Sequence, residues 1–173
     1  TTLVFAHVNT KSPFPDQWIY VHDPAVMMGR LTNFSNWSAE VGGDHNTTVL
    51  CAEYWSNDDD AFWAKSDIEL GVTVRRDLEL TGLVREVDIQ QTQVIRLRRC
   101  YPVYRRGYRE HVGVITRFLD TIDGLTVIGR YGAFKYNNQD HSILMGILAA
   151  ENIANSAAHD LWSVNTDYDD YQE

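Results

Sequence analysis

The chain has 173 residues, 44% of them apolar and 23% charged, with a formal net charge of −9. That length suits one domain with a sizeable core, or one domain and a piece of another, and the composition is that of a folded protein. The negative charge disfavours general nucleic-acid binding, and no apolar run is long enough to span a bilayer.

Two cysteines, Cys51 and Cys100, make neither a disulfide framework nor a C-x-x-C pair, and six histidines are scattered singly, so no metal site is expected. Sequons begin at Asn33, Asn36 and Asn46. The N-terminus has no signal-peptide shape, so they read as chance matches and a reducing, cytoplasmic setting is expected. The chain opens on a strand-like run with no initiator Met, which suggests a fragment of something longer. Charge is uneven: Asp58, Asp59, Asp60 and the tail residues Asp167, Asp169, Asp170 and Glu173 are acidic, while Arg96, Arg98, Arg99, Arg105, Arg106 and Arg109 crowd together. Most of these arginines read as a solvated face, with one or two free to meet an anion.

Residues 2–9 have the pattern of a strand. Pro13 and Pro15 mark a turn, residues 18–22 are a second strand stopped by Asp23-Pro24, and residues 29–37 alternate like a third. Residues 42–46 read as a loop and 47–55 as a fourth strand, so an antiparallel sheet is expected. Ser66 and Glu69 form a capping-box pattern; Leu70, Val74 and Leu78 follow at helical spacing, and Gly82 fits the C′ position. Residues 94–100 alternate apolar and basic, as in a strand with one wet face or one face on an anion. After the extended Tyr101-Pro102 corner, Val112, Ile115, Leu119 and Ile122 give a second helix closed by Gly124.

Residues 125–155 concentrate the polar chemistry. A short strand at 125–128 leads through a glycine-containing loop, Gly129 to Gly132, and a polar run from Tyr136 to Ser142 into an apolar helix. This arrangement offers backbone N–H groups to an anion. Ile143, Leu144, Met145, Ile147, Leu148 and Ile153 ring that helix, so burial on all sides is expected, by further polypeptide or by a second copy in a homodimer. From Ala157 the chain turns polar and acidic and is expected to fray. The domain organisation is a sheet domain with one helix at 1–100, a connecting helix at 101–124, a strand–loop–helix segment at 125–156 and a tail at 157–173. The fold class is α+β, with an antiparallel or mixed sheet, packed helices and a C-terminal strand–loop–helix.

The run GRYGAFKYNNQDHSILMG, from Gly129 to Gly146, resembles the C-terminal flavin-contacting segment of FAD-dependent enzymes. These are the UDP-galactopyranose mutases and related protoporphyrinogen-oxidase-like or amine-oxidase-like oxidoreductases. GRLTNFSNWS, from Gly29 to Ser38, is similar to their substrate-sheet strand, and Tyr101-Pro102 to the corner before the returning helix. The resemblance implies FAD as cofactor, contacted by Gly129, Arg130, Gly132, Asn138, Gln139, Asp140, His141 and Ser142. It implies a small-molecule substrate, in the mutases a nucleotide sugar, contacted by Arg30, Tyr101, Tyr104, Arg130 and Tyr136. Guanidinium forks suit diphosphate oxygens, and the positive helix end suits charge on a reduced flavin.

No catalytic residue is assigned, His141 included. The spacing from Tyr136 to Asn138 is shorter than in the mutases, so the resemblance points to the wider flavoenzyme group first. The chain holds no G-x-G-x-x-G fingerprint, and in isolation it is expected to bind FAD poorly and to be inactive. Three readings follow: the C-terminal part of an FAD-dependent oxidoreductase, a UDP-galactopyranose-mutase-like isomerase, or a free-standing interaction module. The last requires that no large apolar patch be exposed.

Overall fold

A computed structural model describes residues 1–38, 40–41 and 46–164. The chain divides into two compact units, Thr1–Cys100 and Tyr101–Glu173. Residues 42–45 of the loop expected at 42–46, and 165–173 of the acidic tail, lie outside the described residues.

Among its described residues the first unit is a five-stranded sheet and one long helix. The strands are β1 (Thr2–Val8), β2 (Trp18–Tyr20), β3 (Arg30–Asn33), β4 (Thr48–Tyr54) and β5 (Ile89–Arg96), and the helix is α1 (Asp67–Leu80). They lie in the order β2-β3-β4-β1-β5, and every neighbouring pair is antiparallel. The first strand of the sequence is therefore interior, between β4 and β5. Alternation on β1 buries Thr2, Val4, Ala6 and Val8 on one face. In register with them stand Tyr54, Ala52, Leu50 and Thr48 of β4. This face packs on Leu70, Val74 and Leu78 of α1, and Phe14, Met28, Val84 and Ile89 complete the core.

The helix begins where the sequence places it. Ser66 caps it, with the side chain of Glu69 reaching back to the Ser66 backbone N–H at 2.7 Å. Gly82, just past the end, takes φ +70°. Asp77, in the middle of α1, is fully buried. Its Oδ2 accepts from the backbone N–H groups of Met27 (3.0 Å) and Met28 (3.2 Å) and from the Tyr54 hydroxyl (3.2 Å).

Two strand boundaries differ from expectation. The third strand stops at Asn33, because Asn33 Oδ1 accepts from the Ser35 backbone N–H (3.2 Å) and the Thr48 hydroxyl (3.0 Å). Those bonds turn residues Phe34–Asn36 into a short 3-10 helix. β5 covers Ile89–Arg96 rather than 94–100, and its glutamines Gln91 and Gln93 stand opposite His7 and Phe5 of β1.

Among its described residues the second unit has three α-helices, α2 (Tyr108–Leu119), α3 (Gly129–Gly132) and α4 (Gln139–Asn155), and a 3-10 turn at Leu161–Ser163. The strand expected at 125–128 is absent. That run has no pairing partner among the described residues, and the chain passes directly into α3, so the glycine loop is a turn of helix. Ala133, Met145 and Val164 form a small core, with Leu148, Leu161 and Trp162 packed against it. Residues 157–164, expected to fray, are tied down instead. The Asn152 side chain bonds the His159 backbone through both its amide groups (2.9 and 2.8 Å). Lys135 Nζ donates to the carbonyls of Trp162 and Val164.

The ring of apolar residues on α4 is not covered on all sides. Met145 and Ala149 are buried, whereas Ile143, Ile147 and Ile153 are 63%, 52% and 73% exposed. On α2 no residue is buried.

Candidate functional site

In the second unit the sequence-predicted residues converge. Tyr101 and Tyr136 stack with ring centroids 5.2 Å apart and planes 15° from parallel. The Arg130 guanidinium lies over both, 5.1 Å from the Tyr101 centroid and 4.7 Å from that of Tyr136. Arg130 Nε donates to the Asn137 carbonyl at 2.9 Å, which fixes the side chain at the mouth of α4. The Tyr104 hydroxyl accepts from the Tyr136 backbone N–H at 2.8 Å, while its ring stacks on Tyr108 at 4.5 Å. Tyr104 thus acts on the loop backbone, and its predicted ligand contact is not needed to explain its position.

The polar run meets α4 as expected. Asn138 occupies the N-cap position with extended backbone (ψ 179°), yet its side chain makes no capping bond. Gln139, Asp140 and His141 form the first turn, where backbone N–H groups lack intrahelical partners and the helix dipole is positive. Asp140 Oδ1 and His141 Nδ1 lie 2.9 Å apart. The Asp140 carboxyl is held below its usual range, first by the His141 backbone N–H. Arg130, Asn137, Asn138, Gln139, Ser142 and Ile143 line an open cleft of about 610 Å³ at this helix end. Gly129 and Gly132 are the end residues of α3, which delivers Arg130.

Asn137 was not singled out by the sequence. It is buried; its Nδ2 faces Met145 Sδ at 3.2 Å and its Oδ1 has no hydrogen-bond partner. Only the fold reveals it, since its neighbour Asn138 carries the capping pattern.

Arg30 belongs to the first unit, on the sheet face opposite α1. Its fork is bidentate on Glu53, its register partner across β3 and β4: Nε to Oε1 and Nη2 to Oε2, each 2.7 Å. Arg30 Nη1 donates to the Tyr20 hydroxyl at 3.3 Å, and the guanidinium lies 5.7 Å from the Tyr20 ring centroid. Trp18 and Trp37 stack beside it at 5.2 Å and remain about half exposed. Sequence reading found Arg30 and missed Glu53, because the pair is 23 residues apart and only strand register joins it. Cys51, two residues before Glu53, has its thiol pushed up to about 12 by burial and then by the Glu53 charge.

Among the described residues, no cluster of three or more His, Cys, Asp or Glu could hold a metal ion, and no helix is long and apolar enough to cross a membrane.

By sequence the chain matches no family model and no curated protein. By structure it is similar to reduced UDP-galactopyranose mutase, with a TM-score of 0.80 and 20% identity over 95% of this chain and 35% of the mutase. It is also similar to a protein described as a protoporphyrinogen oxidase from Exiguobacterium sp. 255-15, with a TM-score of 0.55 and 20% identity over 75% of this chain and 29% of that one. The chain therefore spans about a third of the length of the structures it matches. The α+β fold and the resemblance drawn from three short motifs are borne out at the level of fold.

Proposed function

We propose that this chain forms the substrate-side sheet and the cofactor-facing C-terminal segment of an FAD-dependent oxidoreductase. The observation that carries the reading is the placement of Arg130 over the stacked Tyr101 and Tyr136 rings, lining the cleft that opens on the N-terminus of α4. A guanidinium and a positive helix end at one cleft together suit a ring bearing negative charge. The residues present fit that part of the cofactor. Arg130, Asn138, Gln139, Asp140, His141 and Ser142 would face the flavin, with Gly129 and Gly132 shaping the backbone. Flavin supplies the redox chemistry when bound; these side chains bind and orient it and set the charge around it.

The adenine dinucleotide half has no counterpart here, since no G-x-G-x-x-G occurs in the sequence. Polypeptide other than these residues must grip it, and the chain alone binds FAD weakly. Proton–nitrogen NMR spectra of the full chain with millimolar FAD test this. Amides of residues 129–142 should shift well beyond those of the sheet, and Arg130→Ala should cut those shifts several-fold. An absence of localised shifts in that segment would overturn the reading.

The second reading, a UDP-galactopyranose-mutase-like isomerase, is favoured by the more extensive structural match, a TM-score of 0.80 over 95% of the chain. On that reading the diphosphate of a nucleotide sugar is a ligand for Tyr101, Tyr104, Arg130 and Tyr136 of the second unit, and Arg30 of the first is taken separately as an anion contact. UDP in place of FAD should then shift Tyr101, Arg130 and Tyr136. The third reading, a free-standing interaction module, needs a surface without large apolar patches, and the bare residues of α2 and α4 weigh against it. Those faces would be covered by further polypeptide or by a second copy of the chain, in a cytoplasmic setting.

A further inference from the structure

Arg30 and Glu53 sit directly opposite each other on β3 and β4, with their side chains 21% and 10% exposed. Two short parallel bonds join the guanidinium edge to the carboxylate. A phosphate oxygen pair would use that same edge with the same geometry.

The pair is not required to align the strands. Buried Leu31 already stands opposite Ala52, the Asn33 side chain accepts from Thr48, and the Gly29 N–H donates to the Glu53 carbonyl at 2.9 Å. Nor is Glu53 the sole hold on Arg30, because Tyr20 contacts it through both hydroxyl and ring.

We infer that Glu53 is an internal competitor for the anion seat of Arg30: in the resting chain it fills the guanidinium fork, and an incoming diphosphate must displace it. The inference rests on reading Arg30 as an anion-holding residue and adds what sets its selectivity. A displaced carboxylate stays within reach on its own strand and repels whatever anion takes its place. A singly charged ligand merely exchanges one carboxylate-like contact for another and gains nothing. A diphosphate meets more of that repulsion, but its second set of oxygens brings further contacts that offset it. Glu53 thus sets a threshold that an anion with no second contact does not pass.

The probes are inorganic pyrophosphate, UDP and acetate, titrated into the full chain and followed by the amides of Tyr20, Arg30 and Thr32. Glu53→Gln keeps the size and one acceptor but removes the charge. It should bind pyrophosphate and UDP about tenfold more tightly than the parent chain, with a smaller gain for acetate, because the repulsion relieved scales with the charge of the ligand. A merely structural ion pair predicts the opposite sign, because its loss would loosen Arg30 and weaken binding. Glu53→Asp draws the carboxylate off the fork while keeping its charge, and should give a smaller gain; it carries the test if Glu53→Gln folds poorly. Unchanged or weaker binding in these variants, or a gain that persists when Arg30→Ala is added, overturns the proposal. If UDP shifts Tyr101, Arg130 and Tyr136 but never the sheet residues in any variant, the proposal falls while the mutase-like reading stands. If it shifts neither set, both fall.

Discussion

Asp77 has no exposed surface, and one of its oxygens receives three hydrogen bonds from Met27, Met28 and Tyr54. Its side chain fastens the segment that leads into Gly29 and Arg30. Asp77→Ala leaves the Met28 N–H and the Tyr54 hydroxyl buried without this partner and frees the half-buried Met27 N–H, at a cost of about 3 kcal/mol. The urea midpoint of tryptophan fluorescence should fall accordingly; a shift within error would show that water replaces the carboxylate. None of this was legible in the sequence, where Asp77 is one acidic residue on a helix and its backbone partners lie about 50 positions away. A second residue-scale consequence concerns alkaline pH. The Cys51 thiol is raised from 9.0 to about 12 in the folded chain, first by burial. The unfolded chain therefore releases its proton earlier, so the stability tied to the neutral thiol is complete below pH 9.0 and is lost as pH rises toward about 12. The loss has a slope of about 1.4 kcal/mol per pH unit. Tyr54, also pushed up by burial and then by Asp77, adds to the decline above its ordinary value of 10.0. Cys51→Ala should flatten the stability curve just above pH 9, measured as urea midpoints across the alkaline range, and should leave the steeper region above pH 10 in place.

Among the elements, those specified locally were the readable ones. Helix α1 carries its own start in Ser66 and Glu69, its apolar spacing in Leu70, Val74 and Leu78, and its stop in Gly82, and the fold uses all of them. Ser66→Ala removes the acceptor for the Glu69 N–H and half of the reciprocal cap, and should lower stability by about 1 kcal/mol, read from thermal melts by circular dichroism. Strand identity was less readable because pairing is decided elsewhere in the chain. Residues 125–128 have strand-like composition but find no ladder, whereas the glutamine-rich start of β5 is recruited by β1 despite its polarity. Gly29 shows how a single position can depend on a distant element. A Cβ there would lie 2.1 Å from the Trp55 ring, so Gly29→Ala must push the indole aside just before Arg30. For the candidate site, the sequence located Arg130, Tyr101, Tyr136 and the α4 N-terminus, since they sit on a contiguous motif and one corner. It missed Glu53 and Asn137, whose significance arises only from cross-strand register and from burial under α4.

At the scale of the molecule, the two units differ in how much core each possesses. The first buries a continuous apolar layer between sheet and helix, from Val4 and Leu50 to Leu70 and Leu78. The second closes around Ala133, Met145 and Val164, while Val114, Ile115 and Phe118 of α2 and Ile143, Ile147 and Ile153 of α4 stay more than half exposed. Burying so little apolar surface offsets only a small part of the chain entropy of ordering three helices. Opening of the second unit should therefore precede global unfolding of the first. Hydrogen exchange read by mass spectrometry should show amides of α2 and α4 exchanging at least a hundredfold faster than those of β1 and β4, and the chain should enhance the fluorescence of an apolar dye. Raising the protein concentration separates the two ways of covering the bare faces. If a second copy covers them, protection in α2 and α4 rises with concentration and dye binding falls, together with a doubled mass in light scattering. If further polypeptide of a mutase-like chain is what they are shaped for, protection stays low at every concentration of the isolated chain. Slow, concentration-independent exchange throughout α2 and α4 would contradict both, and would mean that the small core suffices.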